Sequence, residues 1–212
     1  MNLSDLETAA RPMGLGINGA LHSAPTDSFG SGKTIVLLGP SPDFWTIFQR
    51  SPEASDGLPE PVDRWSARII DGLATRHGTS AVYPFGGPPY HPFIGWALRS
   101  GRCWTSPVGL LVHDTAGLLV SFRGALILDG CREIPPGPAN PCQGCDAPCR
   151  LACPASALTT EGYNVPKCHD FLDTAAGKPC LETGCQVRRS CPVGKGSQPV
   201  EQSALHMAAF HR

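Results

Sequence analysis

Cys142-Gln143-Gly144-Cys145-Asp146-Ala147-Pro148-Cys149-Arg150-Leu151-Ala152-Cys153-Pro154 is the stretch on which the reading of this 212-residue chain turns. Four thiols fall within it at spacings of two, three and three residues, and proline stiffens the chain after the fourth. Four more follow at Cys168, Cys180, Cys185 and Cys191, the last again directly before a proline, Pro192. Cys103 and Cys131 stand apart and read as ordinary buried thiols. The N-terminus, from Met1 to Glu7, has neither a basic stretch nor an apolar core, so no secretory signal is expected and the expected location is the cytoplasm. In a reducing compartment, thiols crowded in this way are metal ligands more often than disulfides.

The first block approximates the bacterial ferredoxin run, C-x2-C-x2-C-x3-C-P, in which three thiolates hold one [4Fe–4S] cube and the fourth ligates another. Applied here, that logic predicts two [4Fe–4S] clusters with exchanged fourth ligands. Cys142, Cys145 and Cys149 would join Cys191, while Cys153 would join Cys168, Cys180 and Cys185. Arg150, Lys167, Lys178, Arg188 and Arg189 lie among the ligands and would offset the negative charge of such clusters. Two departures stand out: the extra residue between Cys145 and Cys149, and the wide spacings around Cys180. Eight thiolates would also serve two structural zinc sites, for which Cys142-x2-Cys145 is a good half-site.

Outward from the cysteines, residues 142–195 contain only two aromatics, Tyr163 and Phe171. So small and polar a segment buries little apolar surface, and a bound metal would supply what its core lacks. On the N-terminal side, Glu133 to Pro141 carries four prolines and reads as a stiff connector. On the other side, residues 202–210 read as a final helix. The predicted organisation is therefore an α/β domain over 1–132, a connector over 133–141, an iron–sulfur module over 142–196 and a C-terminal helix or tail over 197–212.

Within 1–132, Thr34 to Gly39 is a strand, and Val62, Trp65, Ile69, Ile70 and Leu73 recur at helical spacing. Residues 81–85 read as a strand ending in the turn Gly86-Gly87-Pro88-Pro89. His91 to Arg99 reads as a short helix with Phe93, Ile94, Trp96 and Leu98 inward. Val108–Val112 and Leu118–Val120 read as a hairpin about Asp114-Thr115-Ala116-Gly117, and Ala125 to Leu128 as a further strand. Continuous apolar strands imply a sheet covered by helices on both faces. Trp45, Trp65, Trp96 and Trp104 are expected in the core.

One similarity covers about fifty residues. Cys142 to Leu158, with Val165-Pro166-Lys167-Cys168-His169-Asp170-Phe171-Leu172, resembles the dicluster module of the epoxyqueuosine reductase family, and Gly95 to Gly101 loosely resembles the part that precedes it. The resemblance implies a nitroreductase-like α/β sandwich that binds cobalamin, followed by two clusters that pass electrons to the cobalt. The helical-repeat extension by which some relatives hold tRNA is lacking, and no catalytic acid can be matched.

Composition narrows the partners. With 17 basic and 18 acidic residues the chain offers no electrostatic case for nucleic acid, and no apolar run is long enough to span a bilayer. Gly30-Ser31-Gly32-Lys33-Thr34 lacks the first glycine of a phosphate loop and precedes a strand where such a loop should follow one. Phe85 to Pro92 could admit a flat cofactor beside Tyr90 and His91, or could be a simple turn. His113 could ligate a metal, or be an exposed turn residue. The expected function is iron–sulfur electron transfer to a redox partner protein; the alternatives are a cobalamin-dependent reductase (an oxidoreductase) and, after it, a structural zinc module.

Overall fold

Thr34 to Gly39 is buried at every position and forms the body of strand β2, Lys33–Pro40. A strand buried on both faces must be central, and β2 runs between β1, Leu15–His22, and β6, Gly124–Asp129. The short β3, Ser80–Val82, completes a four-stranded sheet in the order β1-β2-β6-β3. Every pairing in it is antiparallel. The chain is thus mixed α/β, with elements numbered in chain order. The computed structural model describes residues 2–211.

Helices bury one stripe each against this sheet. Helix α3, Pro61–His77, starts with proline at its first position, which costs no hydrogen bond there. It stops at Gly78 and turns Trp65, Ile70 and Leu73 inward, packing on β3 and β6. Helix α1, Leu3–Ala10, is closed by a capping box in which Asn2 and Asp5 each accept the other's backbone N–H. The short α2, Phe44–Phe48, stacks Phe44 and Phe48 around Trp65. Helix α4, Phe93–Arg99, buries Phe93, Trp96 and Ala97, but Ile94 and Leu98 are exposed, contrary to the inward placement read from the sequence. In seven residues a helix makes under two turns, so only one narrow stripe can face the core.

The loop between β1 and β2 is anchored to α4. Asp27 is buried and accepts hydrogen bonds from Trp96 Nε1 (2.8 Å), the Arg99 guanidinium (3.1 Å) and the Ala24 N–H (2.6 Å). Burial alone would raise the Asp27 pKa, but these donors outweigh it and hold it below the ordinary carboxylate value. The glycine-rich run follows as a turn into β2, where Lys33 pairs with Asp129 at 2.6 Å.

The chain separates into two compact units. One runs from the N-terminus to Arg102 and resumes at Ser121–Gly137; the other comprises Cys103–Val120 and Pro138 onward. Residues 103–120, placed in the first domain by sequence, therefore cluster with the cysteine-rich segment. There β4, Cys103–Thr105, pairs with β5, Leu111–His113, about a turn at residues 106–110. The predicted hairpin is displaced: Leu118–Val120 is not a strand and meets β5 only through the isolated bridge between His113 and Gly117. Residues 131–140 carry no regular structure, in keeping with the three prolines among them.

The rest of the second unit is made of short pieces. They are the minimal ribbon β7, Leu158–Thr159, with β8, Gly162–Tyr163, and four helices: α5, Val165–Leu172; α6, Lys178–Thr183; α7, Gln186–Arg189; and α8, Val200–His211. Two small apolar clusters hold them. Val108, Val112, Leu118, Leu158 and Val187 surround Cys149 and Cys191. Leu172 and Met207 surround Cys180, with Phe210 of α8 packed alongside.

Candidate metal centre

Cysteine positions in the second unit follow from its turns. The Asn140 side chain accepts the Cys142 N–H at 2.9 Å, and a turn brings Cys145 N–H to Cys142 O at 3.3 Å. The longer step to Cys149 is absorbed at Ala147, whose backbone is left-handed (φ 50°) and whose N–H donates to Cys145 Sγ at 3.4 Å. Cys149 then lies buried in the 3-10 turn Pro148–Arg150. Cys191 follows α7 and lines the same hollow as Cys142, Cys145 and Cys149, with Ser106, Val112 and Leu118 in its wall. The hollow holds ≈ 360 Å³ of non-atom space, counting the part open to solvent.

Helices carry the remaining thiols. Cys168 sits in α5, Cys180 in α6, and Cys185 caps the start of α7. The wide gap from Cys168 to Cys180 is filled by the end of α5 and the 3-10 turn Ala175–Gly177. Ala157 N–H donates to Cys153 Sγ at 3.3 Å, the Gln186 N–H to the Cys180 sulfur, and the Tyr163 hydroxyl to Cys168.

Electrostatics sort the eight into two sets of four. Burial first, then the neighbouring Cys145, Cys149 and Cys191, raises the Cys142 thiol pKa. Burial and then Cys191 do the same to Cys149, with Cys145 adding to it. Cys168 is raised by burial, opposed by the Tyr163 hydrogen bond, and raised further by Cys185 and Cys153. Cys180 is raised by burial, opposed by Gln186 N–H, and raised by Cys185, Cys153 and Cys168. The cysteines acting on Cys142 and Cys149 all belong to one set, and those acting on Cys168 and Cys180 all belong to the other. Tyr163 is itself pushed well above the usual phenol range, by burial and then by Cys168.

Buried thiols set close together form a donor set whose negative charge a cationic centre would offset. The donors fit an iron–sulfur cluster on three further counts: all four ligands of each set are cysteine, backbone N–H groups point at sulfurs, and the first hollow is walled by apolar side chains. Among the described residues, no three or more His, Cys, Asp or Glu side chains converge closely enough to hold one metal ion. No disulfide joins the ten cysteines. Cys103 is buried, but Cys131, read as buried, is exposed in the irregular segment after β6.

Of the three residues read from the sequence as candidates for a second cofactor, Tyr90 and His91 lie in the first unit and His113 in the second. Tyr90 is 64% exposed, and His91 stacks against both Phe29 and Trp96 in the first unit, the three rings forming one cluster. A Cβ added to Gly86 or Gly87 would meet nothing within 4 Å, and both glycines hold the positive φ, near +98°, that a turn here uses. His113 belongs to the second unit and is buried, not exposed as a turn residue would be. Its Nδ1 accepts the Thr115 and Ala116 N–H groups (both 3.2 Å), and its Nε2 faces Asp114 Oδ1 at 3.0 Å. With both ring nitrogens engaged, His113 orders the loop and offers no lone pair to a metal.

Ser106, Tyr163 and the Val112–Leu118 wall escaped the sequence reading. Only the turn propensity around Ser106-Pro107 and the proximity of Tyr163 to Cys168 could have hinted at them. No protein-family model matches the chain, and no curated protein matches it at a significant level.

Proposed function

We propose that the chain is an iron–sulfur electron-transfer protein holding two [4Fe–4S] clusters, one on Cys142, Cys145, Cys149 and Cys191 and the other on Cys153, Cys168, Cys180 and Cys185. The observation that carries this reading is that Cys142, Cys145, Cys149 and Cys191 line one hollow, although Cys191 comes from the second sequence block, while Cys168 and Cys185 pack against the cluster that holds Cys180. When bound, each cluster accepts and releases one electron at a time.

The chain's own groups would tune that exchange. Backbone N–H donors from Ala147, Ala157 and Gln186 stabilise negative charge on Cys145, Cys153 and Cys180, which favours the reduced form. Val112, Leu118 and Val187 keep water from one face of the first set. Arg188 donates to Leu118 O at 2.9 Å and so ties α7, which precedes Cys191, to that wall. The partner is a redox protein, the compartment a reducing one such as the cytoplasm, and the module one of the epoxyqueuosine reductase type. No helix among the described residues is long and apolar enough to cross a membrane.

The test is metal and sulfide analysis of protein purified without oxygen. Roughly eight iron and eight sulfide per chain are expected. Cys149→Ser and Cys180→Ser should each remove about half, while far-UV circular dichroism retains the signal of the four-stranded sheet. Zinc without sulfide would refute the proposal.

A further inference from the structure

Ser106 is 94% buried, and its Oγ has no hydrogen-bond partner among the described residues. Serine side chains in turns commonly bond back to the turn's own backbone. Here the turn is closed without the side chain: Ser106 N–H donates to Leu110 O at 2.8 Å, and Gly109 N–H donates to Ser106 O at 2.9 Å. A buried hydroxyl without a partner is rare enough to require a reason. The hydroxyls of Ser41 and Ser51 share that state, but of the three only Ser106 lines a hollow together with Cys142, Cys145, Cys149 and Cys191. The lining is otherwise apolar apart from the sulfurs themselves, with prolines, valines, Ala147 and Leu118 between them.

We infer that the Ser106 hydroxyl donates a hydrogen bond to a sulfur of the cluster held by these four cysteines, and that it raises the reduction potential of that cluster. The inference rests on the iron–sulfur reading above. Reduction adds one electron and therefore negative charge to the sulfurs. A donor preorganised in an apolar wall stabilises the reduced state more than the oxidised one. Ser106 would act through that hydrogen bond alone, with no part in holding the iron.

The experiment starts with iron and sulfide content of the anaerobically purified full chain, then follows both reduction potentials by EPR-monitored titration. The first cluster is identified as the couple that Cys149→Ser abolishes or displaces. Ser106→Ala should lower that potential and leave the other unmoved. Ser106→Thr and Ser106→Val share one shape and differ in the hydroxyl, so the Thr variant should lie above the Val variant even if the added methyl disturbs the site. Equal potentials in that pair, with both clusters present, would overturn the inference and leave the iron–sulfur reading intact. A wild-type protein without iron and sulfide would overturn that reading, and the inference with it.

Discussion

Gly117 is where the wall of the first cysteine set touches a ligand. Its φ is +55°, and a Cβ placed there would lie 2.5 Å from Gly194 N and 2.8 Å from Cys191 Sγ. Gly117→Ala therefore meets two penalties. The left-handed backbone costs about 1–2 kcal/mol for a residue with a Cβ. Contacts roughly 1 Å inside the ordinary carbon separation add an overpacking cost of about 1–3 kcal/mol, because Cys191, Gly194 or the bridge from Gly117 to His113 must shift. The sum, about 2–5 kcal/mol, is a large part of the stability of an ordinary domain.

Gly109 separates the two penalties. It lies in the same unit with φ +77°, yet a Cβ there would meet nothing within 4 Å. Gly109→Ala should thus lose only the backbone component and keep its full iron. Gly117→Ala should lose the iron of the first set and retain that of the second. The assays are iron and sulfide content beside urea unfolding, comparing both variants with the parent chain. Equal midpoints and equal iron for the two variants would show that Cys191 is not held where the contact requires.

Further outcomes follow from other contacts. Tyr163→Phe removes the hydroxyl that donates to Cys168, so the potential of the second cluster should fall while its iron content stays; an unchanged potential in a redox titration would contradict the contact. Glu53, bonded to the Arg68 guanidinium at 2.5 and 2.8 Å, is held down to about 2 from 4.5, chiefly by those hydrogen bonds. A depressed folded-state pKa stabilises above the unfolded value, so unfolding midpoints should fall as pH drops from about 4.5 towards 2, and Glu53→Gln should flatten that decline.

What the sequence made legible is what local chemistry dictates. The apolar run over 34–39 and the period of α3 carry their signal within a few residues, and both elements are found where expected. Strand β1 was not legible. Gly16, Asn18 and Gly19 break its alternation, and the register shifts between Ile17 and Gly19, where Asn18 reaches Ser121 O at 3.2 Å. That irregularity is set by a residue about a hundred positions away, which no local pattern encodes. The same holds for β4 and β5: strong apolar residues after the turn at 114–117 suggested a strand, but Leu118 is spent on the core around Cys149. His113 was misjudged for a related reason, since only tertiary packing decides whether a turn residue faces water.

The inserted segment 103–120 explains why the cysteine-rich part is not an autonomous tail. Its own residues after 138 provide few large apolar side chains, and the cluster around Cys149 and Cys191 borrows Val108, Val112 and Leu118 from the insertion. Even so, the buried apolar set is small, and buried thiols that repel one another as thiolates add a cost that grows as they ionise. A cationic core would reverse the sign of that term. In the pairing proposed, Cys191 closes back on Cys142–Cys149 while Cys153 reaches forward to Cys168–Cys185, so each centre would close a loop across the other. Restraining the unfolded chain twice in this crossed manner stabilises short helices that could not persist singly in water.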